Sequence, residues 1–151
     1  MKKTFITLIA LTTLLFSAEH KVVFDLTSSD FTKIEKSLIG NINLLNTHYS
    51  QNGDTFKVAV VISGGAYRYF TDNVDASVYK NDTQLKNIQI ALKEKLASLA
   101  SQGVRFDVCS VGMKKRNIKQ ENMYTFVKPA FNKTEALISW QNRGYAYVPI
   151  N

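Results

Sequence analysis

The chain has one cysteine, two histidines, two prolines and seven glycines in 151 residues. A single thiol excludes an internal disulfide framework. It also excludes a zinc or iron–sulfur centre built from the cysteines of one chain. Two histidines make a multi-histidine metal site a poor expectation, so no metal and no cofactor are expected. So few prolines and glycines leave no room for a low-complexity linker. The glycine patterns of nucleotide-binding loops are missing, and with them the signal for a nucleotide cofactor. What is present is 45% hydrophobic and 21% charged, the balance of one ordinary globular domain. The formal charge is +7. Its positive residues are spread along the chain without an RNA-binding signature, so nucleic acid is not an expected partner.

The first 18 residues read as a secretory signal peptide. Lys2 and Lys3 make a positive start, Thr4 to Phe16 is mostly apolar and uncharged, and Ser17 and Ala18 are small. That apolar run is shorter than the roughly 20 residues that span a bilayer comfortably. Phe16 is bulky where a small residue is preferred, which leaves the cut placed only to within a residue or two. The expectation is a signal peptide over 1–18 and one domain over 19–151, exported and not inserted in the membrane after cleavage.

Strand and helix signals then alternate. His20–Leu26 is a short apolar run rich in β-branched residues, hence a strand. Phe31, Ile34, Leu38, Ile42, Leu45 and Tyr49 fall at steps of three and four, which predicts a helix. Asp30 can cap it, or Thr32 and Glu35 can form a capping box. Phe56–Ser63 is continuously apolar at its centre, as a strand covered on both faces must be. Ala66–Tyr79 reads as a short helix plus loop. Asp82–Ala100 carries a leucine stripe and ends near Gly103. Val104–Ser110 is a third strand, Lys114–Tyr124 a short basic helix, and Thr125–Lys128 a brief fourth strand. Asn132 can cap a helix over Lys133–Asn142, and Tyr145–Ile150 is a last strand, with Pro149 at an edge. The alternation predicts an α/β protein with a mainly parallel sheet and helices on both faces.

In such sheets functional groups gather at the carboxyl ends of the strands. Cys109 ends the third. A lone thiol there, ahead of a helix and of Lys114, Lys115 and Arg116, has surroundings that favour the thiolate. A free cysteine also packs as a small hydrophobe, and Val108 and Val111 flank this one. The basic run, with Lys119, is either a solvated helix face or local positive charge for an anionic sulfur species. Gly64 and Gly65 follow the second strand. They either form a turn or let a small anion approach backbone N–H groups. Tyr67 to Phe70 reads as core or subunit-interface packing. His20 and His48 read as surface residues, and no Ser–His–Asp or Cys–His pairing follows from spacing.

Three segments together resemble the DsrE/DsrF-like family of small bacterial α/β proteins: GVRFDVCSVGMKKR from Gly103 to Arg116, ALISWQNRGYAYVP from Ala136 to Pro149, and VVISGGA from Val60 to Ala66. The resemblance implies a three-layer α/β/α fold around a five-stranded parallel sheet, and assembly into trimers, hexamers or mixed complexes. It also implies that Cys109 stands where relatives carry sulfur as a persulfide and pass it along a relay. Export sets this chain apart from relays that work in the cytoplasm. The expected function is therefore a periplasmic sulfur carrier, sulfurtransferase-like rather than a turnover enzyme. Cys109 would take sulfur from a small sulfane donor and yield it to a thiol acceptor protein. Lys114, Lys115, Arg116, Gly64 and Gly65 would tune the thiol or hold the donor. The alternatives are a non-catalytic oligomeric module with a buried structural Cys109, and a thiol sensor that dimerises through Cys109.

Overall fold

The computed structural model describes residues 17–151. The expected signal peptide lies almost wholly outside them. Five strands form one sheet: β1 (Glu19–Leu26), β2 (Thr55–Ile62), β3 (Arg105–Cys109), β4 (Val127–Ala130) and β5 (Ala146–Ile150). Their order is β4-β3-β2-β1-β5, and every neighbouring pair is parallel. Parallel neighbours need crossovers, and helices supply them. A π-wound segment (Lys33–Gly40) runs directly into α1 (Asn41–Gln51), followed by α2 (Thr83–Ser101), α3 (Ser110–Lys115) and α4 (Lys133–Asn142).

The strand period of two divides the core. On one face Val22, Phe24, Leu26, Val58, Val60, Ile62, Phe106 and Val108 pack with Ile34, Leu38, Ile42 and the α2 stripe of Leu85, Leu92, Leu96 and Leu99. On the other, Val23, Ala59 and Val61 meet Ala136 and Leu137 of α4. The result is the expected three-layer α/β/α arrangement. Val60, Val61 and Ile62 are all sealed from solvent, consistent with a central strand buried on both faces. Each such side chain contributes about 1.5–3 kcal/mol through burial. β4 and β5 are the edges, and each carries a proline, Pro129 and Pro149, where an edge tolerates a missing donor.

Three caps are side-chain oxygens. Asp30 Oδ1 accepts the Thr32 N–H at 2.8 Å, so aspartate rather than the Thr32–Glu35 box starts the first helical run. Asn132 Oδ1 accepts the Glu135 N–H at 2.8 Å, as its sequence position predicts. Asp82 Oδ1 accepts the Leu85 N–H at 2.9 Å, while Oδ2 pairs with Arg68 Nη2 at 2.5 Å. Asp82→Ala removes both interactions. It is expected to cost about 2 kcal/mol in a denaturant titration, more than a cap alone, which is typically about 1.

Two expectations are corrected. Lys114–Tyr124 is not one helix: α3 begins earlier, at Ser110, and stops at Lys115, with a separate turn of 3₁₀ helix at Gln120–Asn122. Asn117 takes φ 53°, the left-handed region, where an α-helix cannot continue and asparagine is tolerated. The brief fourth strand lies at Val127–Ala130 rather than Thr125–Lys128. The segment after β2 is a 3₁₀ helix (Gly64–Phe70), and its Tyr67, Tyr69 and Phe70 are buried inside the chain, so they are core and cannot pack subunits together.

Candidate functional site

The carboxyl ends of β1, β2 and β3 bring the candidate residues to one rim of the sheet. Cys109 is the last residue of β3 and the residue before α3. Its Sγ accepts the Gly112 N–H at 3.4 Å. The sulfur thus occupies the capping position usually held by an oxygen. A thiolate accepts such a bond more strongly than a thiol, because an ionised acceptor roughly doubles a hydrogen bond. Cys109 is 7% exposed, buried within the single chain but close to its surface. Val111, the second residue of α3, is exposed.

Tyr67 frames the other side of this turn. Its hydroxyl donates to the Cys109 carbonyl at 3.0 Å. Burial pushes its phenol well above the usual tyrosine range, and the neighbouring Cys109 side chain adds to that, so it stands as a neutral donor. Gly112 lies against the same hydroxyl. A Cβ there would sit 2.0 Å from Tyr67 Oη, so only glycine fits. Arg116 completes the stack: its guanidinium lies 5.5 Å from the Tyr67 ring centre, and Nη1 donates to the Gly112 carbonyl at 3.4 Å.

The basic run therefore divides. Arg116 folds back onto the Tyr67–Gly112 unit. Lys114 and Lys115 lie in the last turn of α3, exposed, roughly 8 Å along the helix axis from the cap at 1.5 Å per residue. Gly64 and Gly65 are at the same rim, but their amides do not form an open cradle. The Gly65 N–H donates to the Thr27 carbonyl at 2.9 Å. A Cβ on Gly65 would come within 2.6 Å of Ser29 Cβ, and one on Gly64 within 2.9 Å of the Thr27 carbonyl oxygen. Gly64 also has φ +61°. Close approach of the β1 loop thus accounts for both glycines. They do line an open cleft of about 440 Å³, together with Ser29, Arg68, Val78, Tyr79 and Arg116.

Among the described residues no group of three or more metal-ligating side chains converges. No described helix is long and apolar enough to cross a membrane.

The sequence profile of the DsrE/DsrF-like family matches residues 20–150, nearly every residue just described. The chain belongs to the DsrE/DsrF-like family. A solved structure of a protein of unknown function from Methanobacterium thermoautotrophicum shares the fold, with a TM-score of 0.64 at 19% identity over 87% of this chain and 99% of the other. No curated protein matches the sequence. In this DsrE/DsrF-like chain, sequence reasoning singled out Cys109, Arg116 and the two glycines, which the fold brings to one rim of the sheet. It placed Tyr67 in the packing without a link to Cys109, and it missed Gly112, Arg68 and Tyr79. Gly112 carried a signal: a glycine inside a helix needs a packing reason.

Proposed function

We propose that the chain is a sulfur carrier that holds sulfane sulfur on Cys109. The observation that carries this reading is the capping geometry. Cys109 stands where the resemblance puts the sulfur-carrying cysteine of relatives, and its Sγ receives the Gly112 N–H, a bond that an ionised sulfur accepts more strongly than a thiol. The step is simple exchange. The Cys109 thiolate attacks the outer sulfur of a donor such as thiosulfate or polysulfide. A new S–S bond forms, the donor's S–S bond breaks, and sulfite or a shorter polysulfide leaves with the electron pair. An acceptor thiolate then attacks the outer sulfur of Cys–S–S⁻ and regenerates the Cys109 thiolate. No metal, cofactor or outside oxidant enters. Arg116 is the positive charge nearest this turn that favours an anionic donor. The carrier acts in the periplasm after removal of residues 1–18, in a trimer or hexamer, with a thiol protein as acceptor.

The burial of Cys109 favours a second reading, in which the sulfur is only a helix cap in a non-catalytic module. Sulfur release to cyanide separates the two. Protein exposed to polysulfide, desalted and treated with cyanide is expected to yield about one thiocyanate per chain, and Cys109→Ser none. Equal yields from both proteins would overturn the carrier reading.

A further inference from the structure

The cleft beside Tyr67 carries a second cation, Arg68, that the persulfide step does not use. Its lining holds two guanidinium groups, Arg68 and Arg116, and no carboxylate. Arg116 has no acidic partner within salt-bridge distance among the described residues. Arg68 pairs with Asp82 through Nη2 only, and its buried Nε finds no acceptor. Tyr79 lines the same cleft. Burial raises its phenol, while Arg116 and Arg68 both pull it down. Ser29 lines the cleft as well, and its carbonyl accepts the Tyr69 hydroxyl at 2.5 Å. Two further features fit a ligand. The cleft opens at the carboxyl rim of a parallel sheet, where such folds bind ligands. Its volume lies in the range of small-molecule sites.

We infer that this cleft binds a small tetrahedral oxyanion through Arg68 and Arg116. Guanidinium forks match the paired oxygens of such anions, and they suit sulfate-like or phosphate-like groups better than the oxygen-free polysulfide chain. The anion is held by side chains, because the Gly65 amide is already engaged by Thr27. Thiosulfate and inorganic phosphate share the required chemistry. Cys109 does not line the cleft, and the site stands whether or not Cys109 carries sulfur.

The test uses the Cys109→Ser protein, so that no sulfur transfer contributes to the signal. Binding of thiosulfate and of inorganic phosphate is measured by calorimetry at low ionic strength, where exposed charges are least screened. At least one is expected to bind at one site per chain. Arg116→Ala is expected to weaken that binding about tenfold or more, the usual worth of a charge-assisted hydrogen bond. Arg116→Lys is expected to recover only part, since it restores the charge without the fork. Lys114→Ala, on an exposed side chain outside the cleft, controls for net charge and is expected to leave binding unchanged. Tighter thiosulfate binding marks a sulfur oxyanion as the ligand, and tighter phosphate binding marks a phosphate. Failure of both anions to bind, or equal losses in Arg116→Ala and Lys114→Ala, would overturn the inference. Failure of the thiocyanate assay with Arg116-dependent binding intact would overturn the carrier reading alone.

Discussion

Gly112→Ala is expected to lower the stability of this protein by about 2–3 kcal/mol, although alanine is intrinsically the better helix former by about 1. The new methyl would meet Tyr67 at 2.0 Å from Oη and 3.0 Å from Cζ. Tyr67 has nowhere to go. It is completely buried, its hydroxyl is bonded to the Cys109 carbonyl, and Arg116 lies on its ring. Overpacking of a filled core costs about 1–3 kcal/mol. Displacing Tyr67 also strands a backbone carbonyl, which adds the cost of an unmade hydrogen bond. A double-mutant cycle isolates the contact. Tyr67→Phe removes the atom that clashes first, so the pair Tyr67→Phe with Gly112→Ala should cost clearly less than the sum of the singles. Denaturant midpoints measure all four proteins. Additive costs would show that Gly112 and Tyr67 do not restrain one another.

The second large effect lies on the α4 face of the sheet. Asp25 lies near the carboxyl end of β1, beside the edge strand β5, and is 2% exposed. Its Oδ2 receives Lys133 Nζ at 2.8 Å and the Tyr147 hydroxyl at 3.0 Å, while Oδ1 has no partner. Tyr147 feels the same carboxylate: the bond to Asp25 raises its phenol above the usual range. Lys133→Met removes the charge and leaves a carboxylate in the sheet with one donor. Breaking a buried pair from one side costs about 3–5 kcal/mol. Lys133 is about a third exposed, so water softens the loss, and about 2 kcal/mol is expected. Asp25→Asn combined with Lys133→Met should recover part of it, because an amide needs no counter-charge. A Lys133→Met protein as stable as wild type would mean that Tyr147 alone holds Asp25.

The sequence read well where one period ruled a whole segment. The apolar centre of β2, the leucine stripe of α2 and the Asn132 cap each have a local cause, and each stands where that cause puts it. The site read less well because its contacts are long-range. Tyr67 and Cys109 are 42 residues apart, and no spacing rule links a tyrosine on a 3₁₀ turn to a strand end. α3 has six residues, too few to show a helical period, so its start was read several residues late. Asn117 gave no warning of its left-handed backbone. Arg68 read as part of the Tyr67–Phe70 packing cluster, and only the fold sets it in one cleft with Arg116. The paired glycines were visible, but their reason was a neighbouring loop rather than a ligand at their amides.

The central claim is that Cys109 is a working thiol and not only a cap. Intact mass after treatment with polysulfide tests it most directly. The account predicts a gain of one sulfur atom on the wild-type chain, absent in Cys109→Ser and reversed by reductant. An unchanged mass, with Cys109 silent to thiol reagents until the protein is unfolded, would contradict it.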